Sequence, residues 1–327
     1  MPALILTRED VEGLLSMREC IDVIDQAQQE FSAGNVVMPV RLTTAVPERG
    51  NHLAMPALLP GLNAFGIKCI TIFPTNPSRN APTLWGIAVL NDPDTGAVLA
   101  VMDAAYLTAV RTPAASAVAT RALANPDASE LAIIGAGVQA GTHLWGMTEV
   151  RSIRKVRVAA VTREEADQFV ARHSPRFPDV EIAPADSPEE AIRGADIVCT
   201  VSASSEPVTR LDWLKPGCHV NGVGSHSPNA REIDGETMAA ARVVVDSRDA
   251  NLRECGDCMI PIAEGLFGPE HVSDEIGEVL AGTKIGRIRP DQITVYQSVG
   301  LAIQDIAAAK LVYDRAVEKG VGTSVGL

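Results

Sequence analysis

The sequence predicts an α/β protein in which a doubly wound parallel sheet, the Rossmann arrangement, is joined to a smaller α+β unit. Three observations support this prediction. An apolar run turns into a helix through closely spaced glycines at 130–141, apolar strands then alternate with helices up to residue 247, and residues 1–115 carry hairpin signals instead. A chain of 327 residues is long enough for two units, each with its own core.

The glycine-rich run at 130–141 predicts a site for the pyrophosphate of a dinucleotide. Residues 131–134 are apolar and typical of a buried parallel strand. The glycines after them allow a tight turn and a close approach of an anion to the backbone. The helix that follows directs free N–H groups and the positive end of its dipole at that anion. The residues expected to meet the pyrophosphate are Gly135, Gly137, Val138 and Gln139.

Strands and helices continue to alternate beyond the glycines, which predicts a domain spanning 116–297. The predicted strands are 156–161, 180–183, 196–202, 219–224 and 242–246, and the predicted helices include 163–173 and one starting at Ser187. Ligands of such sheets bind at the carboxyl ends of the strands. We therefore expect Val201, Ser202 and Val223 to line the nicotinamide of a dinucleotide. Thr112 and Ser298 are also assigned to the cofactor site.

The end of the second strand bears on the choice between NAD and NADP. A site specific for NAD usually has an acid there, about 20 residues past the glycines, to bind the ribose hydroxyls. Here the strand ends without an acid and continues into Thr162 and Arg163, which suit a 2′-phosphate. We therefore predict NAD(P)H as cofactor with NADP slightly favoured. The alternative is that Arg163 points to solvent and a neutral pocket accepts both forms.

The first domain is expected to comprise residues 1–115 together with the C-terminal segment 298–327. Asn91–Gly96 lies between two apolar strands and predicts a hairpin turn. The expected elements are strands at 53–60, 64–73, 85–90 and 97–102, a helix at 112–124, and one long amphipathic helix at 298–319 that returns to this domain.

Charge and composition exclude some classes of function. The net charge of −13 disfavours nucleic acid and anionic membranes as partners, because both bind to basic surfaces. No stretch of about 18 uncharged apolar residues is present, so no membrane span is expected. The first ten residues lack the pattern of a signal peptide, and a cytoplasmic location is expected. The six cysteines do not suggest a disulfide framework, and Cys255 and Cys258, without a second pair or nearby histidines, favour a structural role over a metal site.

Three cations in the first domain fall beside predicted strands or turns. They are Arg41, Lys68 and Arg111, and Lys68 interrupts an apolar run. A lysine in a buried strand is costly unless an anion pairs with it. Taken singly, each is best explained by a structural salt bridge. Three of them beside a nucleotide-binding fold favour a site that binds a carboxylate, since the arginine fork matches that group.

The chain resembles the ornithine cyclodeaminase/mu-crystallin family along nearly its whole length. The motifs that carry this resemblance are Met38–Arg41, Gly66–Lys68, Leu107–Thr112, Gly135–Gln139, His219–Gly224 and Ser298–Gly300. The resemblance implies a nicotinamide-binding Rossmann domain and a second domain that forms a homodimer. It also implies that a substrate α-carboxylate is bound by the residues at the matching positions, Arg41, Lys68 and Arg111.

Two positions depart from the cyclodeaminase pattern. Where those enzymes have a glutamate and an aspartate, this chain has Leu53 and His226. Cyclodeamination needs an acid to position the distal amine and to move its protons, so the departures disfavour that reaction. The reductive branch, with its alanine dehydrogenases and cyclic ketimine reductases, resembles this chain better. His226 is assigned as a catalytic residue that could donate the proton to the product nitrogen. The alternatives are that a held water donates this proton and that His226 bonds a loop carbonyl. His52 either lies in a surface turn or binds a second carboxylate together with His226.

The expected function is an NAD(P)H-dependent reductase of α-imino acids that acts in reverse as an amino-acid dehydrogenase. Lys68, Arg111 and His226 are the predicted catalytic residues, and the substrate-binding residues are Arg41, Lys68, Arg111 and His52. One alternative is an ornithine or lysine cyclodeaminase that uses NAD catalytically. The other is a non-enzymatic nucleotide-binding protein of the crystallin kind. A small imino or amino acid and a second copy of the chain are the expected partners.

Overall fold

The computed structural model describes residues 2–326. Its contacts divide the chain into a first unit, Met1–Ala114 with Leu301–Leu327, and a second unit, Ala115–Gly300. The boundaries expected from the sequence differ from these by one to three residues.

The described residues contain strands in both units. In chain order they are β1 (Ala3–Leu6), β2 (Leu42–Val46), β3 (Gly50–Leu59), β4 (Ala64–Ile72), β5 (Leu84–Asn91), β6 (Val98–Asp103), β7 (Glu130–Ile134), β8 (Lys155–Ala159), β9 (Glu181–Pro184), β10 (Ile197–Thr200), β11 (His219–Gly222), β12 (Arg242–Val245), β13 (Thr294–Gln297) and β14 (Thr323–Val325).

The α-helices of the described residues range from single turns to twenty residues. They are α1 (Arg8–Leu14), α2 (Met17–Ser32), α3 (Ala104–Leu123), α4 (Val138–Val150), α5 (Arg163–His173), α6 (Pro188–Ile192), α7 (Gly235–Ala240), α8 (Arg248–Glu254), α9 (Gly256–Ala263), α10 (Ile276–Leu280) and α11 (Ala302–Lys319).

The first unit is a mixed sheet covered on one face by helices. Its strand order is β14-β1-β6-β5-β4-β3-β2, antiparallel except where β1 pairs with β6. Helices α2 and α11 pack together, and α11 also contacts β3, β4 and β5. Residues such as Met55, Lys68 and Ala88, which are paired across β3, β4 and β5, are buried beneath these helices. We call this side of the sheet the inner face.

The opposite side of that sheet, the outer face, is apolar and partly exposed. Trp85 and Ile87 of β5 are 57% and 48% exposed, and Leu42 of β2 is 67% exposed. Cross-strand pairing places them with Ala54 and Cys69 on one side of the sheet, because paired residues point the same way. An apolar sheet face of this kind is normally covered by another element or another chain.

The second unit is a parallel sheet in the order β12-β13-β11-β10-β7-β8-β9. Every neighbouring pair in it is parallel. The order reverses direction beside β7, which is the switch point at which doubly wound sheets bind ligands. The predicted fold class, a Rossmann sheet with a smaller α+β unit, is confirmed.

Several predicted elements have different bounds in the structure. Helix α3 begins at Ala104, eight residues before the predicted start, because Asp103 Oδ1 accepts a hydrogen bond from Tyr106 N at 2.8 Å and caps it. Pro113 is accommodated inside this helix. The C-terminal helix begins at Ala302 rather than at Ser298, since Ser298 N still donates to Gly222 O and extends the sheet pairing.

Strand β13 was not predicted, although it lies between β11 and β12 inside the sheet. Its four residues, Thr294–Gln297, mix polar and apolar side chains and are all buried. A four-residue strand without an apolar run leaves little periodic signal. The short strands β1, β2 and β14 were not predicted either. Helices α1 and α2 were missed although Thr7 and Ser16 cap them.

Candidate active site

The glycine loop of the second unit has the geometry that a pyrophosphate site requires. Gly135 has a φ of +121°, and a Cβ there would lie 2.8 Å from Val201 O, so only glycine fits. Gly137 is the N-cap of α4 and has no side chain to bond the first N–H groups of that helix. A Cβ on Gly137 would meet nothing within 4 Å, so the space beside it is open.

The first turn of α4 completes this site. Val138 is 71% exposed, and Gln139 Oε1 is buried without a hydrogen-bond partner in the described part of the chain. Uncapped N–H groups at the start of a helix attract an anion. Gly135, Gly137, Val138 and Gln139 therefore lie together as predicted, and they fit the pyrophosphate of a nicotinamide dinucleotide.

A buried carboxylate organises the neighbouring strand ends. Glu232 Oε1 accepts hydrogen bonds from Ser202 N at 2.7 Å and Ser202 Oγ at 2.6 Å, and its Oε2 accepts one from Gly224 N at 2.6 Å. Ser202 follows β10, and Val223 and Gly224 follow β11. Burial raises the pKa of Glu232, and its hydrogen bonds oppose that effect. Sequence reasoning assigned Ser202 and Val223 to this edge but missed Glu232.

A second buried carboxyl group supports Glu232. Asp257 Oδ1 accepts hydrogen bonds from Glu232 N at 2.7 Å and from Ile233 N at 3.0 Å. Burial raises the pKa of Asp257 to about 8, and the neighbouring Glu232 charge adds to the increase. Asp257 N donates in turn to Ser225 Oγ, which ties the group back to the loop after β11.

The edge of β8 differs from the prediction in one respect. Thr162 Oγ1 caps helix α5 by accepting from Glu165 N. Arg163 forms ion pairs with Asp167 of its own helix and with Asp186, which follows β9. The strand β8 itself ends without an acid, as the sequence shows, but Asp186 brings a carboxylate to Arg163 from the segment after β9.

Two further residues assigned to the cofactor have structural partners. Ser298 Oγ donates to Asp246 Oδ2 at 2.9 Å, and the same oxygen accepts from Gly300 N at 2.8 Å. Thr112 Oγ1 donates to Thr108 O within α3. Thr112 and Arg111 thus lie inside a helix and not at a helix start as predicted.

The first unit contains a buried charge cluster on the inner face of its sheet. Lys68 Nζ and Arg111 Nε each lie 2.7 Å from Asp305 Oδ1, and Arg111 Nη1 donates to Gln304 Oε1 at 2.9 Å. Lys68 and Asp305 are fully buried and Arg111 is nearly so. We call Lys68, Arg111, Gln304 and Asp305 the inner cluster.

The inner cluster leaves polar groups available to a ligand. Asp305 Oδ2 and Gln304 Nε2 are both buried and have no hydrogen-bond partner among residues 2–326, and Lys68 Nζ has none besides Asp305 Oδ1, with which it forms an ion pair. Such groups in a native structure call for a missing partner. Burial lowers the pKa of Lys68 to about 8, Asp305 opposes the decrease, and the charges of Arg111 and Arg41 add to it. The charge of Arg41 thus acts on Lys68, and the part of Arg41 in substrate binding stays a prediction.

The acid in the inner cluster was missed by sequence reasoning. A signal was present, because Gln304 and Asp305 are polar residues in a helix segment whose other members, such as Ile303 and Ile306, are apolar and buried. A charged residue on a buried helix face implies a partner of opposite charge.

The two histidines assigned to the candidate site lie in different units, and His52 is not on the face of the sheet that carries the inner cluster. His52 belongs to β3, not to a surface turn, and it pairs with Thr44 and Thr71 on the outer face of the sheet. It is therefore on the opposite side of the sheet from Lys68. His226 lies in the second unit, exposed in the loop after β11, where its backbone N–H donates to Gly224 O.

No metal centre is visible in the described residues. No group of three potential histidine, cysteine or carboxylate ligands occurs within 2–326, and Cys255 and Cys258 are buried free thiols. Among the helices of that range, none is long and apolar enough to cross a bilayer.

The parallel sheet and its glycine loop have the features of a dinucleotide-binding fold, and the first unit contains the inner cluster. The family model for the ornithine cyclodeaminase/mu-crystallin family matches residues 1–320, and the chain belongs to this family. The resemblance found in the sequence is thus confirmed.

Three similar proteins are informative. A Delta(1)-pyrroline-2-carboxylate reductase of Bacillus cereus is 39% identical over 98% of this chain and 99% of its own length. The solved Thermococcus litoralis Delta(1)-pyrroline-2-carboxylate reductase, in complex with NADH and L-proline, is 40% identical, covers 98% of this chain and 100% of its own, and has a TM-score of 0.96. An archaeal alanine dehydrogenase dimer with bound NAD is 36% identical over 100% of both chains, with a TM-score of 0.94.

Proposed function

We propose that this protein is an NAD(P)H-dependent reductase of α-imino acids that also acts in reverse as an amino-acid dehydrogenase. The observation that carries the proposal is the inner cluster, in which two buried cations, Lys68 and Arg111, share one oxygen of a single carboxylate, Asp305 Oδ1. The relatives confirm the class of reaction predicted from the sequence, since the similar proteins are reductases and dehydrogenases of imino or amino acids. The first unit then binds the substrate and the second unit binds the cofactor.

The charges of the inner cluster suit a substrate carboxylate. Lys68 and Arg111 supply two positive charges against the single carboxylate of Asp305. An added anion therefore improves the local balance of charge. Arg111 contributes the planar fork that matches a carboxylate, and Lys68 contributes an ammonium group with three N–H donors, one of which faces Asp305 Oδ1.

The reaction also needs a proton at the substrate nitrogen. When bound, the nicotinamide supplies the hydride for imine reduction or accepts it from an amine. Lys68, with a pKa of about 8, is charged near neutrality and orients the carboxylate so that the imine stays polarised. The proton itself comes from His226 or from a bound water, and His226→Gln separates these cases by its effect on kcat.

The two alternative functions differ from the proposed one in what they release. A cyclodeaminase releases ammonia without a net change in the cofactor. A non-enzymatic binder releases no ammonia and does not change the cofactor. The absence of acids at Leu53 and His226 disfavours the first, and the intact inner cluster disfavours the second. Incubation with NADP⁺ or NAD⁺ and a panel of amino acids, following absorbance at 340 nm and ammonia together, distinguishes the three. Ammonia from ornithine without net cofactor reduction would contradict our proposal.

For the cofactor, we propose that both forms bind and that NADPH is slightly preferred. Thr162 and Arg163 at the end of β8 support this preference. Asp186 opposes it, because a 2′-phosphate has to replace that carboxylate as the partner of Arg163. Surface ion pairs of this kind contribute only about 0–1 kcal/mol. A bound 2′-phosphate can therefore replace Asp186 as the partner of Arg163 at a small cost in free energy.

Asp186→Asn tests the cofactor assignment. We expect the ratio of kcat/KM for NADPH to that for NADH to rise about threefold to tenfold, since the variant frees Arg163 and removes a negative charge. Glu189→Gln, in the adjacent helix α6, is the matched control. A wild-type ratio that favours NADH by tenfold or more, about 1.4 kcal/mol, would reverse the proposed preference.

We further propose a homodimer formed through the first unit. Support comes from the outer face, where Leu42, Trp85 and Ile87 are exposed, and from the related archaeal enzyme described as a dimer. Light scattering at micromolar concentration should give twice the chain mass of 34.5 kDa. A mass of one chain would contradict this assignment.

A cytoplasmic location is also proposed, supported by the six free cysteines.

A further inference from the structure

The loops that follow β10 and β11 share one buried anchor, the side chain of Glu232. Both of its oxygens accept hydrogen bonds, two from Ser202 and one from Gly224, at 2.6 to 2.7 Å. Distances this short are typical of bonds to a charged acceptor. Because Ser202 and Gly224 come from different strands, a single carboxylate joins two segments that have no peptide connection near the site.

These two segments lie where the nicotinamide half of a cofactor is expected. Strands β10 and β11 are parallel neighbours, so their carboxyl ends meet at the same edge of the sheet. An independent observation places the first segment beside the cofactor loop. The missing Cβ of Gly135 would lie 2.8 Å from Val201 O, so residues 201 and 202 directly contact the glycine turn.

Asp257 and Ser225 hold Glu232 in place through further hydrogen bonds. Its backbone N–H donates to Asp257, and Asp257 N donates to Ser225 Oγ in the same loop as Gly224. The arrangement is closed, since the path from Gly224 through Glu232 and Asp257 returns to Ser225. A closed set of hydrogen bonds fixes loop geometry more firmly than separate bonds would.

Replacement of this anchor by other groups is restricted. A Cβ at Gly224 would lie 2.3 Å from Glu232 Oε2, so the loop approaches the carboxylate at van der Waals limits. A glutamine at 232 would place an NH₂ group against a backbone N–H of Ser202 or Gly224, which leaves two donors facing each other.

We infer that Glu232 is a positioning residue for the nicotinamide half of the cofactor, acting through the backbone of Ser202 and Gly224 and held by Asp257. The inference rests on the proposed function for the identity of the cofactor. Glu232 should affect only the nicotinamide half of the cofactor site, because it holds the loops after β10 and β11. The pyrophosphate half depends on the glycine turn and on α4.

The test compares ligands that contain the nicotinamide with one that lacks it. In Glu232→Gln, the Kd of NADPH and NADH measured by fluorescence should rise about tenfold, 1.4 kcal/mol, whereas the Kd of ADP-ribose should change less than about twofold. kcat with an imino acid should fall as well. The control is Glu206→Gln, an exposed carboxylate in the segment after β10, which should leave all three values unchanged.

Two results would overturn the inference. Equal losses for the reduced cofactors and for ADP-ribose would show a merely structural role, and unchanged affinity with unchanged kcat would show no role. If Glu232→Gln does not fold, Ser202→Ala removes one of the three bonds and should weaken NADH binding about threefold with ADP-ribose unaffected. Direct cofactor binding is measured without turnover, so a wild type that reduces no imino acid would refute the proposed function and leave this test intact.

Discussion

Each unit of this protein has a carboxylate buried at its candidate site, Asp305 in the first and Glu232 in the second, and different kinds of donor contact the two. Asp305 in the first unit contacts the cations of Lys68 and Arg111, whereas Glu232 in the second unit accepts bonds from backbone N–H groups and a hydroxyl. A lysine or arginine side chain has several N–H donors and can bind a substrate anion while it still contacts Asp305. A backbone N–H group has a single donor, and one that already bonds Glu232 has none left for a ligand. The difference indicates that Asp305 belongs to a site that exchanges partners and that Glu232 belongs to a fixed frame.

The largest expected effect comes from removing a cation beside Asp305. Arg111→Ala should lower kcat/KM for an imino acid, because a charge-assisted pair with the substrate is lost. The expected loss corresponds to an increase of about 2–5 kcal/mol in the activation free energy. NADH affinity should stay nearly unchanged. Stopped-flow and steady-state kinetics on the folded variant measure both, with the exposed Arg79→Ala as the control. Unchanged steady-state kinetics would remove Arg111 from the substrate site.

The frame around Glu232 predicts a pH dependence of stability. Between the pKa of a free aspartate, near 4, and the value of about 8 for Asp257, the folded chain keeps a proton that the unfolded chain has released. Stability therefore falls as pH rises through this range, by at most about 1.4 kcal/mol per pH unit. Asp257→Asn cannot titrate and should show a flatter decline.

Urea unfolding at pH 5, 6, 7 and 8 measures that slope. The exposed Asp249→Asn of α8 serves as the control and should follow the wild type. Identical slopes in all three proteins would mean that Asp257 is already ionised in the folded chain, and the frame would then contain two buried negative charges.

The inner cluster predicts a change in the pH profile of activity that is smaller than the effect of Arg111→Ala. Asp305 raises the pKa of Lys68 against the effect of burial, so Asp305→Asn should lower it below about 8. Because the charged lysine binds the substrate carboxylate, kcat/KM should fall at alkaline pH. That decline should begin about one pH unit lower in the variant. A decline at the same pH in both proteins would mean that Lys68 does not control it.

The same comparison shows what the sequence could predict. The glycine turn, the strands after it and the unusual position of Lys68 are local patterns, and the structure contains them where they were expected. Asp305 lies 194 residues from Arg111, and Asp186 lies 23 from Arg163, so these partners depend on tertiary pairing that no local pattern encodes. His52 needed the register of β3, because a shift of one residue reverses the face of a side chain.

The central claim is that the inner cluster binds the carboxylate of an imine that is then reduced. It is tested most directly by comparing Delta(1)-pyrroline-2-carboxylate with 1-pyrroline, the same ring without the carboxylate, under NADH and NADPH. We predict that kcat/KM is higher for the carboxylate by at least about thirtyfold, or 2 kcal/mol, and that Lys68→Met removes most of this advantage. Equal rates for the two rings, or no oxidation of either cofactor with any α-imino acid, would contradict the account.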